Sequence, residues 1–291
     1  MHFEEQRLRL WLVLCLAGLW LAVAPGAYAA DLPPARVISL APSITEIVYA
    51  LGEGDRMVGV STYCDYPPAA RAVDRVGTFL QPNIEVILAK RPDLVIAVPS
   101  PENRAAVEKL AEFGIRVRVV RPERVDDVLH AIEVIAADLG AVDAGARLVA
   151  RIRGDVAAIE QRLADVAKRR VLMVVGRRPL IAAGAGTFQD ELITRAAGIN
   201  VAVSTGTEAW PHLSLERVVV AAPEVIIDTG MNEREAAEAR AFWAPFTTIP
   251  AVHDGRVVGA GRLDLLRPGP RLAESLAAVA RFIHPERFPE P

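Results

Sequence analysis

A fifteen-residue pattern occurs twice in this chain, and it restricts the fold more than any other feature. Residues 83–97 read NIEVILAKRPDLVIA and residues 214–228 read SLERVVVAAPEVIID. Each copy opens with a helix-capping residue (Asn83, Ser214), followed by an apolar residue and a glutamate (Glu85, Glu216). An apolar helical stretch comes next, then Pro with an acid, Pro92-Asp93 or Pro223-Glu224. Asn or Ser before such a run supplies an N-cap, and Pro ends a helix. The closing run is short and rich in Val and Ile, as suits a strand covered on both faces. A helix–loop–strand unit used twice, far apart in the chain, predicts two lobes of similar build.

The remaining sequence alternates in the same way. Strands are expected at 36–40, 57–60, 94–98 and 116–120, with helices at 83–90, 102–113 and 125–139. Ser43 with Glu46 three residues later reads as a capping box for a helix carrying Ile44, Ile47, Val48 and Leu51. The second half repeats the scheme. It has a strand at 170–175, a helix at 187–197 closed by Gly198, a helix at 233–242, a strand at 256–260 and a last helix to Phe282. Alternation of this kind gives an α/β fold: two Rossmann-like lobes, each a mainly parallel sheet flanked by helices. Residues 141–168 contain no proline and place Leu148, Ile152, Val156, Ile159 and Leu163 at helical spacing. One helix there would span about 40 Å and join the lobes as a stiff rod. The expected divisions are thus 1–29, 30–140, 141–168 and 169–291.

Residues 1–29 read as a secretory signal peptide. Arg7 and Arg9 precede an apolar run from Leu10 to Ala24, and small residues at Ala27, Ala29 and Ala30 place cleavage after Ala29. The run is shorter than the ~20 residues a spanning helix needs. Leu14 before Cys15 is too large for a lipoprotein site, so no lipid anchor is expected. Removing 29 of the 291 residues leaves 262, enough for two domains of ordinary size. No other stretch is apolar and long enough to span a membrane. The net charge is −3, with no basic patch for nucleic acid. Cys64 is then the single cysteine, so stability rests on core burial rather than on an internal disulfide.

A search for catalytic sets finds none. His130, His212, His253 and His284 lack metal-ligand spacing, and no G-x-S-x-G element occurs. Gly184-Ala185-Gly186 lacks the rest of a dinucleotide fingerprint and reads as a turn before a helix. A non-enzymatic chain without cofactor is expected. In open α/β sheets ligands bind beyond the carboxyl ends of strands, and with two lobes the natural site is the cleft between them. The few aromatic residues concentrate in loops expected there. Tyr63 and Tyr66 lie in Ser61–Pro68, Phe79 precedes the first repeat copy, and Trp210 precedes the second. Phe79 and Trp210 are therefore pseudo-equivalent, and flat rings on two sides of a cleft suit a large, flat, partly apolar ligand. Trp243 is assigned to the core of the second lobe.

These residues resemble a known family, the periplasmic substrate-binding proteins of ABC importers with a rigid linking helix, which carry cobalamin, haem and ferric siderophores. The resemblance runs from Arg36 to Phe282. It rests on RVISLAPSITEIVYALG, VGVSTYCDYPP, NIEVILAKRPDLVIA and WPHLSLERVVVAAPEVII. Ser61–Pro68 and Arg267-Pro268-Gly269-Pro270-Arg271 are most similar to the cobalamin-binding branch. The resemblance implies a periplasmic, monomeric carrier of cobalamin or a related corrinoid. Tyr63, Phe79, Trp210, Asp264 and Arg267 would contact the ligand. It further implies that Glu85 and Glu216 dock on a dimeric ABC importer permease, while each acid also complements the positive end of its own helix. Haem with Tyr63 as axial ligand, or a ferric siderophore facing Arg267, stays open as the cargo.

Overall fold

The computed structural model describes residues 33–203, 206–229, 233–261 and 263–289. The expected signal peptide at 1–29 lies outside the described residues. Four strands build the first sheet: β1 (Val37–Ser39), β2 (Met57–Val60), β3 (Leu94–Ala97) and β4 (Arg116–Val119). All pairings are parallel, in the order β2-β1-β3-β4. Helices α1 (Pro42–Ala50), α2 (Ile84–Ala89), α3 (Arg104–Glu112) and α4 (Val125–Leu139) connect or flank these strands, and α5 (Val142–Arg162) follows.

The second sheet is built on β5 (Arg169–Arg177), a strand of nine residues. Its first third pairs in parallel with β7 (Gly198–Asn200). Its last part forms an antiparallel hairpin with β6 (Leu180–Ala182). β8 (Val225–Asp228) pairs with β5, and β9 (Val257–Gly259) pairs with β8, both in parallel. Helices α6 (Phe188–Arg195), α7 (Leu215–Ala221), α8 (Glu233–Trp243), α9 (Pro250–His253) and α10 (Leu272–Ile283) complete this half. Both sheets belong to one unit, Pro34–Pro291.

Strand residues divide alternately between core regions, because successive side chains point to opposite faces. Val37, Leu94, Ile96, Val171, Met173, Val225 and Ile227 join one common core. Ile38, Val95 and Ala97 enter a separate core under the first sheet, and Leu172, Val174 and Ile226 another with Trp243 under the second. The common core runs through Leu148, Val149, Ile152 and Val156 of α5. The two sheets are therefore coupled by continuous apolar packing through a helix, not by a bare rod.

Three local expectations are corrected. Ser43 and Glu46 form no capping box: α1 begins at Pro42 after Ala41, with no side-chain cap. Both residues are buried instead, and Glu46 has distant partners. The long helix ends at Arg162, not at Lys168, so it spans about 30 Å. Leu163 turns into the core there, and its N–H bonds three residues back to the Glu160 carbonyl. Gly198 does not close a helix: α6 ends at Arg195, and Gly198 opens β7.

The repeat is a repeat in space. The Asn83 and Ser214 side chains accept from the N–H of Val86 and Arg217. Arg91 and Ala222, each just before the proline, have φ of 46° and 43°. A residue before proline is pushed out of the right-handed helical region, and here both copies resolve this by a left-handed turn. The acids after proline then tie the units to the strands beside them. Asp93 accepts from the N–H of Ala35 and Arg36 at 2.9 and 2.8 Å, and Glu224 from the N–H of Arg170 at 2.9 Å. The Arg36 and Arg170 guanidinium groups in turn donate to helix-end carbonyls, Lys90 and Ala222.

Candidate functional site

The loop after β2 carries Tyr63. A buried polar cluster anchors it from below. Thr45 Oγ1 donates to Ser39 Oγ at 2.9 Å and approaches Cys64 Sγ at 3.1 Å, and Ser61 Oγ lies 3.0 Å from the same sulfur. Burial pushes the Cys64 thiol upward against the opposing pull of these hydroxyls, so it stays a neutral anchor rather than a nucleophile. Thr62 donates through both N–H and Oγ1 to the Gly77 carbonyl, each at 2.9 Å. On this fixed base Tyr63 is 63% exposed.

Phe79 sits half-buried on the next loop, packed against the common core. Its carbonyl accepts from Nδ2 of fully buried Asn103 at 3.1 Å. Gly77 opens this loop with φ of 100°, and a Cβ there would lie 2.6 Å from Asn83 N and Gln81 O. Only glycine fits such a crossing.

Trp210 is 47% exposed on the second lobe. Its neighbours form an extra strand-like edge: Ala182 N donates to Pro211 O, Gly184 N to Ala209 O at 2.8 Å, and Leu213 N to Leu180 O. A Cβ on Gly184 would lie 2.2 Å from Glu208 O, which explains glycine at this close approach. Among the described residues no ring pair joins Tyr63, Phe79 or Trp210; the aromatic contacts are those of Phe242, Trp243 and Phe246.

The loop after β9 reaches the first lobe. Arg267 Nη1 donates to Asp65 Oδ1 at 2.5 Å and lies 3.5 Å from Glu46 Oε1, while Nη2 donates to the Tyr63 carbonyl at 3.2 Å. Arg271 forms a two-pronged pair with Glu46 at 2.8 and 2.7 Å, and its guanidinium lies 4.0 Å from the centre of the Tyr66 ring. Burial opposes ionisation of Asp65, but the Arg267 contact outweighs it and holds the carboxyl below its usual range. Burial likewise opposes the charge on Arg271, and Glu46 more than restores it. Asp264 is buried and accepts from Ser275 Oγ at 3.2 Å. Gln189 fixes the adjacent Leu265 carbonyl at 3.0 Å.

Tyr63 and Arg267 are thus brought together at the carboxyl ends of both sheets, where open α/β folds place their ligand sites. Glu46, Asp65 and Arg271 belong to the same junction and were not singled out as site residues from sequence. The signal was available: Glu46 stands among Ile44, Ile47 and Val48, and a glutamate on an apolar helix face needs a cation. A cavity of about 540 Å³ lies at the ends of β5 and β8, walled by Val175, Gly176, Arg178 and Phe242, with Arg177 paired to Asp228 at 2.8 Å. Sequence reasoning placed Val175 in a strand and Phe242 in a helix but assigned none of these residues to a site.

Glu85 and Glu216 are exposed in the first turns of α2 and α7. Glu216 lies below the usual carboxylate range through its own backbone N–H and the Ser214 hydroxyl. Among the described residues no group of three or more His, Cys, Asp and Glu is placed to hold a metal ion. No helix among them is long and apolar enough to cross a membrane.

A family model described as periplasmic binding protein matches residues 37–261. The vitamin B12-binding protein of Pectobacterium atrosepticum is 32% identical over 245 residues, 82% of this chain and 85% of that protein. The periplasmic vitamin B12 binding protein BtuF of Vibrio cholerae has a similar structure, with a TM-score of 0.78 at 28% identity, covering 89% of this chain and 100% of that one. The periplasmic heme-binding protein RhuT from Roseiflexus sp. RS-1 has a TM-score of 0.79 at 26% identity, covering 87% of this chain and 98% of that one.

Proposed function

Because the chain belongs to the periplasmic binding protein family, we propose that it is an exported carrier, not an enzyme, that captures cobalamin or a related corrinoid between its lobes. It would pass this cargo to an ABC importer as a monomer. The observation that carries the reading is the pair of large exposed rings, Tyr63 on the first lobe and Trp210 on the second, each on a loop braced by hydrogen bonds. Exposed aromatics on rigid supports bind flat, partly apolar ligands with little ordering cost. The names of the relatives at about 30% identity select the corrinoid from the flat ligands. A corrinoid carries many amides, so shape and scattered hydrogen bonds suffice, and Phe79 would add a smaller stacking surface. Asp264, buried on Ser275, would act by holding the loop that bears Arg267.

Titration with cyanocobalamin, read by tryptophan fluorescence, tests this. Quenching that saturates at micromolar ligand or below is expected, and none at that concentration rules against cobalamin. A second reading, haem, is favoured by the exposed Tyr63 phenol, whose oxygen can serve as an axial ligand, and by the name of the RhuT structure. A Soret shift with hemin that is lost in Tyr63→Phe supports haem. We assign residues 1–29 to the export signal, 30–140 and 169–291 to the lobes and 141–168 to the segment that links them. Glu85 and Glu216 are proposed as the contacts with the permease dimer.

A further inference from the structure

We propose that Glu46 and Arg271 are positioning residues for ligand capture, a clasp between the lobes that holds the Tyr63 loop in place; this rests on the carrier reading above. Glu46 belongs to α1 of the first lobe and Arg271 immediately precedes α10 of the second, 225 residues away. The Glu46 side chain is 2% exposed, so nearly all its hydration is given up on folding. Burying a carboxylate is costly, and a pair of this kind is often no more stabilising than apolar side chains of the same size. What the pair adds is geometry. Two parallel N–H···O bonds fix distance and angle, whereas an apolar contact tolerates sliding.

The fixed geometry is transmitted to the site by a short, stiff path. Between Arg267 and Arg271 lie Pro268, Gly269 and Pro270, and the two prolines have locked φ. Gly269 is buried, and a Cβ there would touch Ser43 at 3.5 Å, so this segment lies directly on the start of α1. With Arg271 anchored on Glu46 and Tyr66, Arg267 is delivered to Asp65 and to the Tyr63 carbonyl. The loop that presents Tyr63 is therefore held from below by its own lobe, through Ser61, Cys64 and Thr45, and from above by the other lobe. Glu46 is shared: Arg271 satisfies it through two bonds, and Arg267 lies close enough to add attraction without giving up Asp65.

The test is the double variant Glu46→Leu/Arg271→Met, which removes the charges but keeps apolar volume. Three quantities are read: the thermal midpoint, amide hydrogen exchange of residues 61–68 without ligand, and the cyanocobalamin dissociation rate by stopped flow. A clasp predicts a near wild-type midpoint, faster exchange in 61–68 and dissociation faster by about tenfold, since preorganisation is lost while contacts remain. A merely structural pair would move the midpoint and leave the other two unchanged. Arg271→Lys keeps the charge and loses the fork, and it should fall between wild type and the double variant; it reads the same quantities if the double variant folds poorly. Wild-type exchange and a wild-type dissociation rate overturn the proposal. If the wild-type protein binds no cyanocobalamin, the corrinoid reading falls, while the exchange measurement on the ligand-free protein still decides the clasp.

Discussion

Two tryptophans of the described chain have opposite physical roles. Trp243 is fully buried, and its Nε1–H donates to Asp228 Oδ2 at 3.1 Å in the core of the second lobe. Truncation to Ala there leaves a large cavity and removes one of the bonds to Asp228 Oδ2, which Arg177 Nε still reaches at 2.8 Å, so about 3–5 kcal/mol of stability should be lost in a denaturation titration. Trp210 is half exposed and supports no core. Trp210→Ala should change stability by less than about 0.5 kcal/mol. It should weaken cyanocobalamin binding about 10- to 100-fold by calorimetry, the loss typical of an aromatic anchor. Wild-type affinity in Trp210→Ala would remove this residue from the site. The distinction between the two was legible in the sequence, because aromatics are few and Trp210 stands in a loop before a capped helix. For Glu46 the need for a cation was legible, but not which cation meets it. Its spacing from Ser43 mimics a capping box, and no local pattern reveals that its partner lies 225 residues further on.

Elements were legible where their patterns are long and local. The helix at 125–139 and the strand at 57–60 stand where periodicity puts them. β6 and β7 were missed: β6 is the short return of a hairpin with β5, and β7 opens on Gly198, where a glycine opening a strand reads like one closing a helix. The contact between α4 and the edge strand β4 depends on charge. Asp138 is buried near the end of α4 and binds both Arg116, at 2.5 Å, and Arg118 of β4. Burial opposes its ionisation, but the two arginines prevail, so its carboxyl is held below the ordinary value of 3.8. A carboxyl depressed on folding stabilises fully above the unfolded value, and that contribution is lost as pH falls through the lower folded one. Asp138→Asn should thus cost about 2 kcal/mol at neutral pH. Its deficit should shrink on acidification below about pH 4, as the wild type loses the same contribution. Urea unfolding at pH 7 and pH 3 measures both; an equal deficit at the two values would refute the assignment. Asp65 and Glu286, also depressed (the latter to about 2), leave the variant with acid sensitivity of its own.

At the scale of the molecule, a common core through α5 and a charged clasp at the junction both resist large lobe movements. A carrier that changes shape little has to be recognised by surface features that are present with or without cargo. The two copies of the repeat provide such a feature, since each presents an exposed glutamate one residue into a capped helix. The acids lie at matched positions of similar units, as contact with a partner made of two equal subunits requires. Each also faces the positive end of its own helix, so a local role has to be separated from docking. Glu85→Ala and Glu216→Ala remove both effects but differ in what they should change. A local role predicts a slightly lower melting temperature and unaltered uptake. Docking predicts unaltered cyanocobalamin affinity in the purified protein with impaired uptake through the reconstituted importer. Distant contacts contribute nearly additively, so the single variants should each retain part of the uptake and the double variant far less. Full uptake with the double variant would sink the docking assignment, whatever the ligand turns out to be.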